Sequence, residues 1–162
     1  MAIRILTTGG TFDKKYDEID GSLIFRETHL ADMLKLGRCN LDIRISRVMM
    51  KDSLEMTEQD RLLIAEKCQK TEENLLVITH GTDTMVETAK VVADRVEGKT
   101  IVFTGAMIPY SFGNSDGMFN LGSVISFVQI LPQGVYIAMN GEYFSWDNVR
   151  KNREKGRFET IR

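Results

Sequence analysis

The chain has 162 residues, of which 43% are hydrophobic and 27% are charged, and its formal net charge is −2. This length is typical of one domain with a substantial core, so we predict a single domain over residues 1–162. The balanced, mixed charge gives no reason to expect nucleic acid or an anionic membrane as a partner. No stretch approaches the roughly 20 apolar residues of a membrane span, and no secretion signal is visible.

The cysteines and histidines are too few and too dispersed for a metal site. Cys39 and Cys68 form no CxxC pair, and the two histidines, His29 and His80, complete no zinc-ligand pattern with them. Two isolated cysteines are more typical of reduced thiols than of a disulfide framework. We therefore expect a cytoplasmic protein that holds no metal ion.

Apolar runs of strand length alternate with helical segments along the chain. In chain order, the pattern predicts a strand at 3–8, a helix at 28–37, a strand at 41–50, a helix at 56–73, a strand at 74–79, a helix at 83–96, a strand at 99–106, a helix at 120–131 and a strand at 134–140. Thr28 and Gly37 are the expected cap and stop of the first helix, and Thr57 is the expected cap of the second. This alternation predicts an α/β fold, with a parallel sheet covered by helices on both faces.

Each predicted strand is followed by a loop that contains small polar residues. The loops read TTGGTFD, KDSLEMT, THGTDT, TGAMIPYSFGNSDG and NGEYFSWDN. In open α/β sheets, ligands bind beyond the carboxyl ends of the strands, where such loops converge. The sequence therefore predicts a binding site at one edge of the sheet.

The first loop, TTGGTF (7–12), presents Thr11 after two glycines that allow a sharp turn. The loop matches neither GxGxxG nor a phosphate-binding loop with its lysine, which disfavours a nucleotide ligand. A threonine nucleophile needs a neighbouring base, and Asp83, Lys151 and Glu142 are the bases expected at the same edge. A lysine partly removed from water can serve as one. A turn threonine that only binds backbone is the alternative interpretation.

The segment LLVITHGTDTMVET (75–88) passes directly from a buried strand into a polar cluster. Taken alone, its simpler interpretation is that Thr82 or Asp83 caps the following helix. His80, in a Thr-His-Gly turn, is more typical of a structural hydrogen-bonding residue than of a catalyst. A role in binding or catalysis is the second interpretation of the cluster.

Four separated segments together resemble the amino-terminal domain of bacterial-type L-asparaginases. They are ILTTGGTF (5–12), VITHGTDTMVETA (77–89), FTGAMIPYSFGNSDGMFNL (103–121) and MNGEYFSWDNVRKN (139–152), in the family's order and at similar spacings. The resemblance covers essentially the whole chain. It implies a flavodoxin-like domain that hydrolyses the side-chain amide of asparagine to aspartate and ammonia, with no metal or organic cofactor.

The resemblance also implies which residues carry out the reaction. Thr11 matches the nucleophilic threonine, and Thr82, Asp83 and Lys151 match a Thr–Lys–Asp array. Lys151, neutral at the moment of reaction, would activate Thr82 or a water beside it. Asp83 would orient Lys151.

Substrate-binding residues follow from the same resemblance. Ser53 matches the serine that holds the substrate α-carboxylate, and Asp83 would also hold the α-amino group. Backbone N–H groups around Gly81 and Thr82 would stabilise the oxyanion that forms at the amide. With this support, a substrate and catalytic loop becomes the better interpretation of THGTDT.

The sequence departs from the family pattern in three ways. Members carry a second domain, which completes the site of a neighbouring subunit with an Asn and a Glu. This chain is therefore expected to self-associate as a homo-oligomer, to be inactive, or to be a fragment. Tyr16 is the candidate for the family's lid tyrosine but lies closer to Thr11 than usual, and an ordinary loop aromatic is its alternative interpretation. Leu54 stands where Gln or Ser is common, so one substrate hydrogen bond is expected to be absent.

Three functions are compatible with these observations. The leading hypothesis is an asparagine amidohydrolase that works as a homo-oligomer. The first alternative is a non-catalytic domain that binds or senses an amino acid or amide. A nucleotide-binding module is disfavoured, because no phosphate loop or ribose-binding acid follows the first strand. The combination of Thr11, Thr82, Asp83 and Lys151 favours an enzyme, because a binding protein has no use for a nucleophile.

Overall fold

The computed structural model describes residues 1–162 and places a six-stranded sheet at the centre of the protein. Short 3₁₀ turns cover residues 11–13, 53–55 and 110–112. The strands and helices, in chain order, are β1 (Ile3–Gly9), β2 (Lys14–Asp17), β3 (Ser22–Phe25), α1 (Leu30–Leu36), β4 (Ile43–Lys51), α2 (Glu58–Lys70), β5 (Leu75–Thr79), α3 (Met85–Ala93), β6 (Thr100–Thr104), α4 (Gly117–Ile130), β7 (Gly134–Met139), β8 (Glu142–Ser145), β9 (Arg150–Asn152) and β10 (Arg157–Glu159).

The sheet has the strand order β4-β1-β5-β6-β7-β8. Its first five strands are parallel, and β8 pairs antiparallel with β7. Numbered among themselves, the parallel strands run 2-1-3-4-5, which is the flavodoxin-like order of a doubly wound sheet. The predicted α/β fold is therefore confirmed.

The prediction that the strand series ends at residue 140 was wrong. The chain turns at Asn140 and Gly141, whose φ angles are 52° and 92°. Positive φ at both positions is what a two-residue type I′ hairpin turn requires, and Asn-Gly is its preferred sequence. The chain therefore returns along β7 as the short edge strand β8.

Two apolar clusters flank the sheet, one on each face. The cluster beneath α2 and α3 includes Ile64, Ala89 and Val92. The cluster beneath α1 and α4 includes Leu30 and Leu121. Strands β5 and β6 lie between the two clusters and are buried on both sides, which explains why their sequences are continuous apolar runs.

The helix signals were only partly correct. Thr57 caps α2 in a capping box, since its hydroxyl accepts from the Asp60 N–H and the Asp60 carboxylate accepts from the Thr57 N–H. Gly37 ends α1 as expected. The N-cap position of α1 is His29, one residue later than expected, but His29 makes no side-chain cap. The Thr28 hydroxyl accepts from the Leu30 N–H at 3.3 Å, as a capping residue does, and also donates to Asp13 Oδ1 at 2.8 Å.

Two small hairpins lie outside the main sheet. The hairpin β2–β3 follows Thr11, and its base is held by the Asp13–Thr28 bond and by a 2.6 Å ion pair between Lys14 and Asp52. The hairpin β9–β10 carries Lys151. None of the four helices is both long and apolar enough to cross a membrane.

Candidate active site

Glycines bring the loops after β1, β4 and β5 into direct contact. A Cβ on Gly10 would overlap the amide nitrogen of Gly81, and Gly10 has a φ of +85°. A Cβ on Gly81 would lie only 2.6 Å from Ser53 Oγ. Side chains are therefore excluded at both glycines, and Thr11, which follows Gly10, lies next to the loop that contains Thr82.

Lys151 is the centre of the polar cluster at this edge. Its Nζ donates to Thr82 Oγ1 at 2.7 Å and to Asp83 Oδ1 at 2.9 Å. The Lys151 side chain is only 14% exposed, so solvent screens these contacts less than it screens surface pairs. The structure thus brings together the three side chains that the sequence placed in one array.

The helix-capping interpretation of THGTDT is wrong. The N-cap residue of α3 is Thr84, and no side chain caps that helix end. The Thr82 hydroxyl and the Asp83 carboxylate are instead engaged by Lys151. The N–H groups of Gly81, Thr82 and Asp83 donate no hydrogen bond within the chain, which leaves them available to a ligand.

Ser53 packs directly against this loop. Its Oγ accepts from the Thr84 N–H at 3.3 Å, and its carbonyl accepts from the Thr84 hydroxyl at 2.8 Å. The Ser53 hydroxyl is buried, yet it donates to no acceptor in the chain. It is therefore free to donate to an anionic ligand group, whereas the neighbouring Leu54 is exposed.

His80 stabilises the loop from beneath. Its Nδ1 lies 2.7 Å from the Gly81 carbonyl oxygen, and its Nε2 lies 2.8 Å from Thr88 Oγ1. Because a carbonyl can only accept, Nδ1 carries the proton and Nε2 accepts from the Thr88 hydroxyl. Burial lowers the pKa of His80 to about 4, although the bond to Gly81 opposes that shift. Both nitrogens are occupied, which agrees with the structural role that the sequence suggested.

Three candidate residues form no hydrogen bond or ion pair with Lys151. Thr11 follows Gly10, whose backbone lies against Gly81, but the Thr11 hydroxyl forms no hydrogen bond with Thr82 or Lys151. Tyr16 lies on β2, is 56% exposed, and has its hydroxyl beside Gly21 at the hairpin turn. Glu142 is exposed at the start of β8, which leaves Asp83 as the carboxylate that contacts Lys151.

The sequence analysis missed a second cation at the site. An Arg153 terminal nitrogen (Nη2) donates to the Asp83 carbonyl at 3.4 Å, and Arg153 Nε lies 3.9 Å from Asp83 Oδ1. Arg153 lies in the turn that follows β9, so its contact with Asp83 depends on how the hairpin docks, and no local sequence pattern indicated it.

The long loop between β6 and α4 is held by its own polar network. The Asp116 carboxylate accepts from the N–H groups of Met107 and Ile108. Asn120 Nδ2 donates to the Gly105 carbonyl, and Asn120 Oδ1 accepts from the Asn140 N–H. The polar residues of TGAMIPYSFGNSDG thus fix the loop at the same edge as Lys151. No group of three or more His, Cys, Asp or Glu residues is arranged to hold a metal ion.

The family model described as the asparaginase N-terminal domain matches residues 2–160. The chain belongs to the asparaginase family. It is similar to L-asparaginase 1 of Escherichia coli K12, at 34% identity over 131 residues, which covers 74% of this chain and 38% of that protein. It is also similar to a glutamyl-tRNA(Gln) amidotransferase component of Methanococcus vannielii, at 33% identity over 151 residues, which covers 86% of this chain and 34% of that protein.

The fold agrees with that of a solved asparaginase. The thermostable L-asparaginase from Thermococcus kodakarensis superposes with a TM-score of 0.87 at 26% identity, covering 99% of this chain and 51% of that one. This family chain therefore spans between about a third and a half of the length of the relatives it matches. The resemblance drawn from the four sequence motifs is confirmed.

Proposed function

We propose that the protein is an amidohydrolase that cleaves the side-chain amide of L-asparagine to aspartate and ammonia. The observation that carries the proposal is the hydrogen-bonded Thr82–Lys151–Asp83 cluster in an asparaginase-family domain, at the sheet edge where the loop of Gly10 and Thr11 meets the loop of Gly81 and Thr82. A binding protein would not need a lysine positioned to move a proton next to a hydroxyl. An enzyme that forms and hydrolyses an ester needs a group in that position to transfer the proton.

In the proposed reaction, Thr11 Oγ attacks the carboxamide carbon of the substrate. The threonine proton is delivered to the amide nitrogen, the carbon–nitrogen bond breaks, and ammonia leaves an ester on Thr11. A water beside Thr82 then attacks the ester carbon as Lys151 accepts its proton. The ester bond breaks, aspartate leaves, and the Thr11 oxygen recovers a proton.

The surrounding groups match the charges of a zwitterionic amino acid. Asp83 would pair with the substrate ammonium, and the free Ser53 hydroxyl would donate to its carboxylate. The N–H groups of Gly81 and Thr82, which have no partner in the chain, would stabilise the oxyanion of the tetrahedral intermediate.

Closure of the site is part of the proposal. The hairpin β2–β3 would act as a lid that moves Tyr16 from its position beside Gly21 towards Thr11. The ion pair between Lys14 and Asp52 at the base of the hairpin would break when the lid moves. A second copy of the chain would cover the remaining open edge and exclude water, which strengthens the electrostatic contacts within. The two free cysteines support a reducing, cytoplasmic location.

The deciding experiment measures ammonia released from L-asparagine by the purified protein. Wild type and Thr11→Ser, which keeps a hydroxyl, are expected to release ammonia. Thr11→Val, which keeps the shape but lacks the hydroxyl, is expected to lose that activity. If the wild-type protein binds aspartate but releases no ammonia from asparagine, the non-catalytic alternative is correct and the proposal fails.

A further inference from the structure

Two basic side chains share one carboxylate at the proposed catalytic edge. Lys151 Nζ lies 2.9 Å from Asp83 Oδ1, and Arg153 Nε lies 3.9 Å from the same oxygen. Asp83 is the only acidic residue that either of them contacts. The pairing of Lys151 with Asp83 therefore leaves the positive charge of Arg153 without a carboxylate of its own, since an arginine stays charged in proteins.

The contact between Arg153 and Asp83 is loose. Arg153 Nη2 donates to the Asp83 carbonyl at 3.4 Å, which is long for a hydrogen bond, and the arginine side chain is 66% exposed. Arg150, on the same hairpin, instead donates its Nε and Nη2 to Glu159 at 3.0 Å and 2.7 Å. Because exposed long-range pairs contribute little to stability, the Arg153 guanidinium can take another carboxylate at small cost.

A substrate held by Asp83 brings a carboxylate to this place. In an α-amino acid, bonds of about 1.46 and 1.52 Å to the shared Cα place the carboxylate carbon about 2.5 Å from the ammonium nitrogen. An ammonium paired with Asp83 therefore carries its carboxylate to within reach of a cation that already touches both the side chain and the main-chain carbonyl of Asp83.

The other groups near this position do not supply a positive charge for the carboxylate. The Ser53 hydroxyl can donate a hydrogen bond but is uncharged. Lys14, the cation nearest in the fold to the Ser53 loop, is paired with Asp52 at 2.6 Å. The substrate ammonium also adds a positive charge beside Asp83. A carboxylate from the substrate is thus the anion that balances Arg153.

We propose that Arg153 binds the α-carboxylate of the substrate as an ion pair, together with the Ser53 hydroxyl, and so determines the substrate class of the site. This inference rests on the proposed amide hydrolysis at the same site. Arginine suits the role because its planar guanidinium can donate two parallel hydrogen bonds to one carboxylate.

The consequence is selectivity for free asparagine. When the α-carboxyl group is converted to an amide, as it is inside a peptide, it presents an uncharged group to Arg153 and the ion pair is lost. The ammonium can still pair with Asp83. The site should therefore discriminate against substrates with a blocked α-carboxyl group, and that discrimination should depend on Arg153.

Steady-state kinetics on two substrates tests this dependence. Ammonia release is measured with L-asparagine and with its α-N-methylamide, which can release ammonia only from the side chain. Arg153→Met removes the charge and keeps an unbranched side chain, whereas Arg153→Lys keeps a positive charge. Arg157→Met is the matched control, since Arg157 is an exposed arginine of the same hairpin that forms no ion pair.

Arg153→Met should raise the KM for asparagine about tenfold and leave kcat within about twofold, because a charged hydrogen bond to the bound substrate is lost. For the N-methylamide, kcat/KM should change by less than about twofold. Arg153→Lys should recover much of the affinity, and Arg157→Met should match the wild type. An equal loss on both substrates would show that Arg153 acts only through the arrangement of Asp83, and would overturn the inference.

Calorimetric titration with L-aspartate provides a second arm that needs no turnover. The Kd should rise about tenfold in Arg153→Met and stay unchanged in Arg157→Met. An unchanged Kd in Arg153→Met would overturn the inference even if the wild type hydrolyses asparagine. If the wild type releases no ammonia but loses aspartate affinity in Arg153→Met, the proposed hydrolysis fails while the carboxylate contact is upheld.

Discussion

The Nζ atom of Lys151 lies 2.7 Å from the hydroxyl oxygen of Thr82, although 69 positions separate the two residues in the sequence. The contact joins the hairpin β9–β10, which is outside the main sheet, to the loop after β5. Asp83 completes the contact from the same loop, at 2.9 Å from the lysine. A small peripheral hairpin thus supplies the lysine of the proposed catalytic cluster.

Lys151→Met should abolish most of the ammonia release from asparagine while the protein stays folded. The loss of a positioned proton-transfer group lowers rates by about 100-fold or more. Lys155→Met, in the exposed turn of the same hairpin, is the matched control and should keep wild-type activity. Initial rates of both variants, together with their circular dichroism spectra, make the comparison. Full turnover by Lys151→Met would remove the lysine from the mechanism.

Gly10→Ala should destabilise the protein much more than Gly98→Ala. Both glycines have positive φ, +85° and +74°, so both substitutions incur a backbone penalty of about 1–3 kcal/mol. Only at Gly10 does the new methyl also overlap backbone, that of Gly81, and overpacking adds about 1–3 kcal/mol. Urea unfolding of the two variants measures the difference. Equal midpoints would show that the first and third loops are not in tight contact.

His80 should make the protein more stable as the pH rises from about 4 to 6.5. Burial holds the pKa of His80 near 4 in the folded state, below the 6.5 of the free side chain. Between these pH values the unfolded chain binds a proton that the folded chain does not. The contribution of neutral His80 to the free energy of unfolding is therefore fully present above pH 6.5 and is lost as the pH falls towards 4. The difference between the two pKa values corresponds to roughly 3 kcal/mol in the free energy of unfolding.

Urea unfolding at several pH values between 5 and 7 checks this dependence, because carboxylates contribute less there than at lower pH. His80→Gln is the control and should flatten the curve in this window. A wild-type stability that does not change between pH 5 and 7 would contradict a buried, neutral His80.

Lys14→Met should raise the pKa of Asp52 towards its ordinary value. The hydrogen bond from Lys14, at 2.6 Å, is the main reason that the pKa of this carboxyl is lowered in the folded protein. Lys15→Met, one position along the same strand, lacks that contact and should leave the pKa unchanged. Carboxyl-carbon NMR titration of Asp52 in both variants measures the shift. No change in Lys14→Met would mean that the base of the β2–β3 hairpin is not held by this pair.

Local sequence patterns predicted most of the main sheet. The continuous apolar runs of β5 and β6 identified buried parallel strands, and Thr57 marked the start of α2, because these signals depend on neighbouring residues or on burial alone. Strand β8 was missed because it is short and largely exposed, although the Asn140–Gly141 turn indicated it.

The arrangement of the site was less accessible to local patterns. Polar loops after the strands located its edge, but the contact between Lys151 and Thr82 depends on how a hairpin of two three-residue strands docks, and only family resemblance suggested it. Arg153 and the Lys14–Asp52 pair were missed, since each is defined by contacts between distant segments. The role of Tyr16 stays a prediction.

The most direct test of the account is to trap the ester on Thr11. The purified protein is mixed with isotopically labelled asparagine, quenched in acid during turnover, digested and examined by mass spectrometry. The account predicts an aspartyl ester on the peptide that contains Thr11, and no ester in Thr11→Val, which should also release no ammonia. Sustained ammonia release by Thr11→Val at the wild-type rate, with no ester on that peptide in the wild type, would contradict it.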